Sequence, residues 1–285
     1  AGACMCCDER GIDRYIYMLL GASSFWRYDI WTDSYQQLAN PPTLSFAAGI
    51  SMVYDPSRGY VWLSAPLTSS PYHMFAYYDC ATNTWTSRAA VTGLGVAFGT
   101  DASLCHTCTT YNAAGDDNAL YLIGNNLTTW YKFSVSGNSW TTITPALPAG
   151  AGAGCHLQWT WGYNTDRLYY FRGTATGALY YFTLSTTTWS ADIGYVPKTE
   201  TFTTGTCYCY DASKRVYIGK DATHRVFYYQ LDEDKMYIGG MIPYVSGTAI
   251  VGDGFCYVKT PDGADFLYYR RQTGTEMWRW LIGWY

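Results

Sequence analysis

Charge is scarce in this chain: only 14% of its 285 residues are Asp, Glu, Lys or Arg. The 18 basic residues are scattered and the net charge is −4. No basic stripe exists to neutralise phosphates, and Arg270-Arg271 is only a pair, so nucleic acid is not an expected partner. Long apolar runs are missing too. No stretch approaches the ~20 residues of a membrane helix, and no membrane is expected. Ala1–Asp8 lacks the basic region and apolar run of a signal peptide. With no initiator Met, the chain reads as a processed or excised segment. Heptads and amphipathic helical windows are absent as well.

Catalytic residue types are equally sparse. Glutamate occurs at Glu9, Glu200, Glu233 and Glu276 alone, and three of these (Glu9, Glu233, Glu276) fall in expected turns. Glycoside hydrolysis needs two carboxylates facing each other across a cleft, which this set does not supply. Most aspartates sit at turn positions, where their side chains satisfy local backbone groups. The sialidase-type Ser-x-Asp-x-Gly-x-x-Trp box is absent, since Ser134–Trp140 lacks its aspartate. No catalytic residue, metal site or cofactor is expected, and the chain is read as non-enzymatic.

Strand and turn material is plentiful. Hydrophobic residues make up 48%, with 29 Tyr and 12 Trp, a composition suited to pleated, half-buried surfaces. The stretch Tyr210–Tyr217 pairs a tyrosine and an aspartate with a turn, an arginine and a β-branched residue. Variants recur at Tyr54-Asp55 before Tyr60-Val61-Trp62, at Tyr111-Asn112 before Leu120-Tyr121-Leu122, and at Tyr163-Asn164 before Leu168-Tyr169-Tyr170. Weaker copies start at Cys7-Asp8 and Gly252-Asp253. Anchors at 7, 54, 111, 163, 210 and 252 are 47, 57, 52, 47 and 42 residues apart. Such a period means stacked supersecondary units that cannot bury their sheet faces alone.

Each unit resolves into four short strands. The fifth gives Gly205–Tyr210, Arg215–Gly219, Arg225–Leu231 and Lys235–Gly239. The sixth gives Gly247–Val251, Phe255–Lys259, Asp265–Arg271 and Met277–Ile282. The expected fold is all-β, a six-bladed β-propeller of four-stranded antiparallel blades in one domain. Blade boundaries are expected near 1–42, 43–91, 92–148, 149–197, 198–243 and 244–285. Both termini fall at blade boundaries, so the ring is expected to close by face packing of blade six on blade one, with Trp278 and Trp280 contributing.

Counting back from the anchors predicts the hub. Cys4, Ser51, Cys108, Thr160, Cys207 and Ala249 stand three before, and Cys6, Val53, Thr110, Gly162, Cys209 and Val251 one before. Mostly larger residues (Met5, Met52, Thr109, Trp161, Tyr208, Ile250) lie between them. One small face is what strands converging on an axis require. Further out, Trp85, Trp140 and Trp189 follow turns rich in Thr, Asn and Ser, with Tyr35, Tyr237 and Trp278 in related places. Rings there are expected to fill the wider gaps between blades.

A strand-three tyrosine, a tryptophan about six residues later and a glycine closing strand two resemble the kelch repeat. The glycine doublet of that repeat is reduced to single residues at Gly21, Gly124, Gly173 and Gly219. The resemblance implies a propeller like the central domain of kelch-type copper oxidases, which need paired His and Tyr ligands and a Tyr–Cys crosslink. Four histidines and no ligand constellation do not supply them.

The ten cysteines include Cys4/Cys6 and Cys207/Cys209. These are two apart on one strand face, roughly 6.5–7 Å and beyond comfortable disulfide reach. Mostly free, buried thiols are expected. Cys105-His106-Thr107-Cys108 and Cys155-His156 enter neighbouring blades at related places. They are weighed as a Cys/His metal site and read as strand fillers and loop caps, since no second Cys-x-x-Cys supports the metal. Asn126-Leu127-Thr128 is a lone glycosylation sequon.

Loops are the better candidates for contact. Ala65–Tyr72, with Pro66 and Pro71, and Pro145–Gly154 are expected on one face, and Pro66, Pro71, Tyr72 and His73 are the interaction-loop candidates. The expected function is a structural or interaction module within a larger assembly, its partners being other protein subunits. The composition resembles that of virion proteins of tailed bacteriophages, which implies a tail, neck or capsid-associated place and assembly in a host cytoplasm. The alternatives are a propeller binding cell-surface glycan or receptor at an extracellular surface, and a kelch-type oxidase or hydrolase.

Overall fold

The computed structural model describes residues 4–8, 14–21, 24–42, 46, 49–67, 72–91, 102–107, 119–124, 127–160, 162–173, 177–193, 202, 206–211, 214–219, 225–241, 254–260, 262–270 and 277–282. Within them every regular element is a strand. Blade 1 comprises β1 (Cys4–Cys7), β2 (Tyr15–Leu20), β3 (Ser24–Asp29) and β4 (Ser34–Gln37). Blade 2 comprises β5 (Ser51–Asp55), β6 (Tyr60–Pro66), β7 (His73–Asp79) and β8 (Thr84–Ser87). Blade 3 has β9 (Ala102–His106), β10 (Leu120–Gly124), β11 (Trp130–Ser134) and β12 (Ser139–Thr142). Blade 4 has β13 (His156–Trp159), β14 (Arg167–Phe171), β15 (Leu179–Thr183) and β16 (Thr188–Trp189). Blade 5 has β17 (Cys207–Tyr210), β18 (Arg215–Gly219), β19 (Arg225–Gln230) and β20 (Lys235–Met241). Blade 6 shows β21 (Gly254–Lys259), β22 (Asp265–Arg270) and β23 (Met277–Leu281) among the described residues.

All neighbouring strands pair antiparallel in sequence order, from the hub outward. The first strands form a ring: β1 packs on β5, β5 on β9, β9 on β13, β13 on β17, β17 on β21, and β21 back on β1. The chain is therefore an all-β, six-bladed propeller of four-stranded design. Packing of blade on blade supplies the core, and the clusters of buried side chains lie in the gaps between blades.

Five of the six blades keep the small–large–small rule at the hub, in a corrected register. In blades 3 and 4 the inner strands end at His106 and Trp159, short of the positions counted from Tyr111 and Tyr163. The connection after the inner strand is longer there, and in blade 4 it is a turn in which the Tyr163 amide donates to the Thr160 carbonyl at 3.3 Å. In blade 6 the expected second strand, Phe255–Lys259, is instead the innermost described one, packed on β1 and β17. The stretch 247–251 lies outside the described residues, as do Cys108, Thr109, Thr110 and Trp161. Aligned by the ring, the equivalent residues are Met5, Met52, Leu104, Leu157, Tyr208 and Phe255, all large and buried. Before them stand Cys4, Ser51, Ser103, His156, Cys207 and Gly254; after them Cys6, Val53, Cys105, Gln158, Cys209 and Cys256.

Small side chains at the hub also accept hydrogen bonds. Ser51 Oγ receives the Leu104 N–H and Ser103 Oγ the Leu157 N–H, each at 2.9 Å, while Cys105 Sγ receives the Trp159 N–H at 3.1 Å. Inner strands are sheet edges, and in blades 3 and 4 the preceding blade satisfies backbone donors that would otherwise be left unpaired. No disulfide links any two of the nine described cysteines, and six of the nine are buried.

At larger radius Trp85, Trp140 and Trp189 fill the gaps between blades as expected, whereas Tyr35 is 49% exposed. Trp85 Nε1 donates to the Ala39 carbonyl and Trp140 Nε1 to the Ala89 carbonyl, both at 2.7 Å and both in the exit of the preceding blade. Trp278 and Trp280 differ from expectation: they pack towards blade 5 with Tyr217 and Tyr228. Closure of blade 6 on blade 1 is made instead by Met5, Met18, Cys256, Val258 and Tyr268.

Candidate functional site

The hub rule is broken on one side of the axis. At the positions flanking the large residue, five of six blades carry Cys, Ser, Gly or Val, but blade 4 carries His156 and Gln158. At the next position blade 3 carries His106, where the other blades have Tyr54, Trp159, Tyr210, Tyr257 and Cys7. His106, His156 and Gln158 all line a cavity of about 100 Å³ on the propeller axis. Its other walls include Met5, Met52, Leu104, Tyr208 and Phe255. Apolar walls with a few convergent polar groups are the usual form of a small-molecule site, and here the polar share of the lining is large.

The polar groups are arranged in a fixed order. Gln158 Nε2 donates to the Trp159 carbonyl at 2.8 Å, which turns Oε1 towards His156 Nε2 at 3.1 Å. His156 Nε2 therefore carries the proton, and Nδ1 accepts from Ser103 Oγ at 3.2 Å. The ring stacks on Tyr208 with centroids 4.5 Å apart and planes 3° from parallel. Burial pushes the imidazole down to about 4, against a smaller opposing effect of Gln158. His156 is thus a neutral, positioned hydrogen-bonding ring at neutral pH, poorly suited to act as a base.

Beside it, His106 Nε2 lies 3.5 Å from Asp55 Oδ2, with both side chains buried. Asp55 also accepts from the Ser57 amide at 3.0 Å, Arg58 Nη1 at 2.8 Å and Trp62 Nε1 at 3.3 Å. Burial alone would raise its carboxyl, but His106, Ser57 and Arg58 outweigh burial and hold it below the usual range. Such a carboxylate is the pin of the β5–β6 turn and the partner of His106.

The interaction-loop candidates lie elsewhere. Pro66 pairs with His73 across β6 and β7, and both are buried. His73 Nδ1 accepts the Val91 amide at 3.1 Å and Nε2 lies 2.9 Å from Ser64 Oγ. Tyr72 is half-buried at a φ of 60°, and Pro71 falls outside the described residues. Pro145–Gly154 is pinned rather than free-standing: Tyr170 and Tyr208 donate to the Ala149 and Gly154 carbonyls at 3.1 and 2.7 Å. Cys105, His106 and His156 line the axial cavity and Cys155 does not, and no group of three or more His, Cys, Asp or Glu that could hold a metal occurs among the described residues. Asn126 lies outside them.

Sequence reasoning weighed His106 and His156 as part of a metal site but missed their shared cavity and Gln158. The hub register was the signal that would have found them, once blades 3 and 4 were aligned on their inner strands.

No family model matches the chain, and no curated protein sequence matches it. Among solved structures it is similar to an auxiliary nutrient binding protein from Bacteroides thetaiotaomicron VPI-5482, with a TM-score of 0.62. The likeness covers 95% of this chain and 67% of that one at 8% identity. At that identity it speaks for the fold alone.

Proposed function

We propose that this chain is a non-catalytic interaction propeller within a larger assembly, meeting other protein subunits through its rim. The observation that carries this reading is the placement of large exposed apolar side chains. Trp31 and Tyr35 on blade 1, Ile238 and Met241 on blade 5, and Leu281 on blade 6 are 55, 49, 67, 67 and 43% exposed. Blades 5, 6 and 1 are consecutive in the ring. Apolar surface gathered on one sector marks a contact site more often than scattered single residues do. The finer readings, a kelch-like subtype and a tailed-phage virion component, rest on repeat features and composition.

The test is incorporation. Ile238→Ser combined with Met241→Ser is expected to leave the melting temperature unchanged and to remove the propeller from the native assembly. Undiminished incorporation would overturn the rim reading.

A second reading, a ligand-binding propeller, is favoured by His156 and Gln158 breaking the hub rule at the axial cavity. The structural neighbour is described as a nutrient-binding protein, which supports this reading only by analogy of fold. Exposed Trp31 and Tyr35 also suit stacking on sugar rings. Ring-dependent binding on a glycan array, lost in Trp31→Ala, would move the ranking to a glycan receptor. Stoichiometric copper in the purified protein would favour the oxidase alternative.

A further inference from the structure

We propose that the axial cavity binds a small neutral molecule through a carboxamide or lactam group, held at Gln158 by a pair of hydrogen bonds. This deepens the ligand-binding reading and rests on it. The hydrogen-bond chain across blades 3 and 4 runs in one direction. Ser103 Oγ accepts the Leu157 N–H and donates to His156 Nδ1. His156 Nε2 donates to Gln158 Oε1, and Gln158 Nε2 donates to the Trp159 carbonyl. A primary amide has two donor and two acceptor positions. The chain uses one of each, which leaves an N–H and an Oε1 lone pair, on neighbouring polar atoms, for a ligand. Gln158 is buried and lines the cavity, where meeting only half of its hydrogen-bonding capacity is costly. A carboxamide or lactam meets both remaining positions at once, its carbonyl accepting from Nε2 and its N–H donating to Oε1.

Other ligand classes fit less well. Burial holds the His156 imidazole down to about 4, so its ring offers an anion no charge at neutral pH. Asp8 lines the same cavity, and a carboxylate ligand would bring Oε1 no donor. In a ring of six, blade 4 faces blade 1 across the axis. The body of a ligand held at Gln158 therefore points towards Met5, flanked by Met52 and Phe255 of blades 2 and 6. Neighbouring hydroxyls of a sugar could engage Gln158, but its remaining hydroxyls would lie unpaired against thioether and phenyl groups. The volume of about 100 Å³ admits a body of roughly seven to ten water-sized groups, which suits a single small ring.

The probe is δ-valerolactam, compared with its isomer N-methylpyrrolidinone, which lacks the N–H, and with valerate and glucose. Proton NMR of the imidazole N–H signals locates binding, the His156 signal being the one lost in His156→Phe. Saturable binding of the lactam at millimolar concentration, with a shift of the His156 signal, is expected. The N-methyl isomer is expected to bind at least about fivefold more weakly, because one buried hydrogen bond is left unmade. Gln158→Glu offers two acceptors instead of a donor and an acceptor, and is expected to reverse the preference towards the protonated amidine iminopiperidine. Should that variant not fold, the two isomers on the unaltered protein still decide. Equal binding of the isomers overturns the amide pairing, as does lactam binding that leaves the His156 signal unmoved. If the lactam fails while glucose or valerate shifts that signal, the pairing is wrong and the ligand-binding reading stands. If none of the four compounds shifts it, the proposal falls, and the ligand-binding reading is left to Trp31 and the glycan array.

Discussion

Single residues show how the chain spends its few titratable groups. His73 is fully buried, and burial lowers its imidazole to about 4. The Val91 amide needs Nδ1 as an acceptor, so the ring must stay neutral in the folded protein. An unfolded chain binds that proton near pH 6.5, the folded one only near 4. Stability from His73 is thus complete above the higher value and is lost as the pH falls towards the lower one. The slope in that window is expected to reach about 1.4 kcal/mol per pH unit, and His156 acts in the same direction. Urea unfolding between pH 7.5 and 4 measures it; a flat profile would show that neither ring is held neutral.

Elements repeat a single turn between the third and fourth strands, and it is here that the sequence was most legible. Asp33, Asn83, Asn138, Thr187 and Asp234 hold this turn at φ between 49 and 54°, a left-handed conformation that Asn and Asp tolerate best. Asn83 does more, accepting the Tyr78 hydroxyl at 2.9 Å and the Ala39 amide at 3.0 Å. Asn83→Ala is expected to cost about 2 kcal/mol, from the two bonds and the backbone strain together. Asn83→Gly relieves the strain but not the bonds and is expected to fall between, as denaturant midpoints would show. The whole motif lies within a few residues, so spacing alone revealed it. Inner strands are different, because their ends are set by partners some fifty residues away, such as Ser103 for Leu157 at |i−j| = 54. That is why His156 and Gln158 escaped notice as wall residues of one cavity. In blade 6 the local signal did exist: Asp265-Phe266-Leu267-Tyr268-Tyr269 copies Asp166-Arg167-Leu168-Tyr169-Tyr170, and a weaker anchor at Gly252 obscured it.

For the whole molecule, everything depends on closing the ring without a covalent link among the described residues. Blade 6 meets blade 1 through buried Met5, Met18, Cys256, Val258 and Tyr268, and Cys7 Sγ donates to the Tyr257 carbonyl at 3.0 Å. The tightest point is Gly254, where an added Cβ would lie 1.9 Å from Met5 Cγ and 2.7 Å from its sulfur. Glycine there serves close approach: the large residue of blade 1 lies directly over the small position of blade 6. Gly254→Ala is therefore expected to destabilise the propeller by about 1–3 kcal/mol through overpacking. Met5→Ala removes the obstacle at its own cost of about 2–5 kcal/mol as a cavity. If the seam is a packing contact, the double variant loses less than the two penalties combined, because the new methyl occupies part of the space Met5 leaves. Denaturant unfolding of the four proteins gives the coupling directly. Strict additivity would mean that Met5 and Gly254 do not meet, and that the ring closes in some other register.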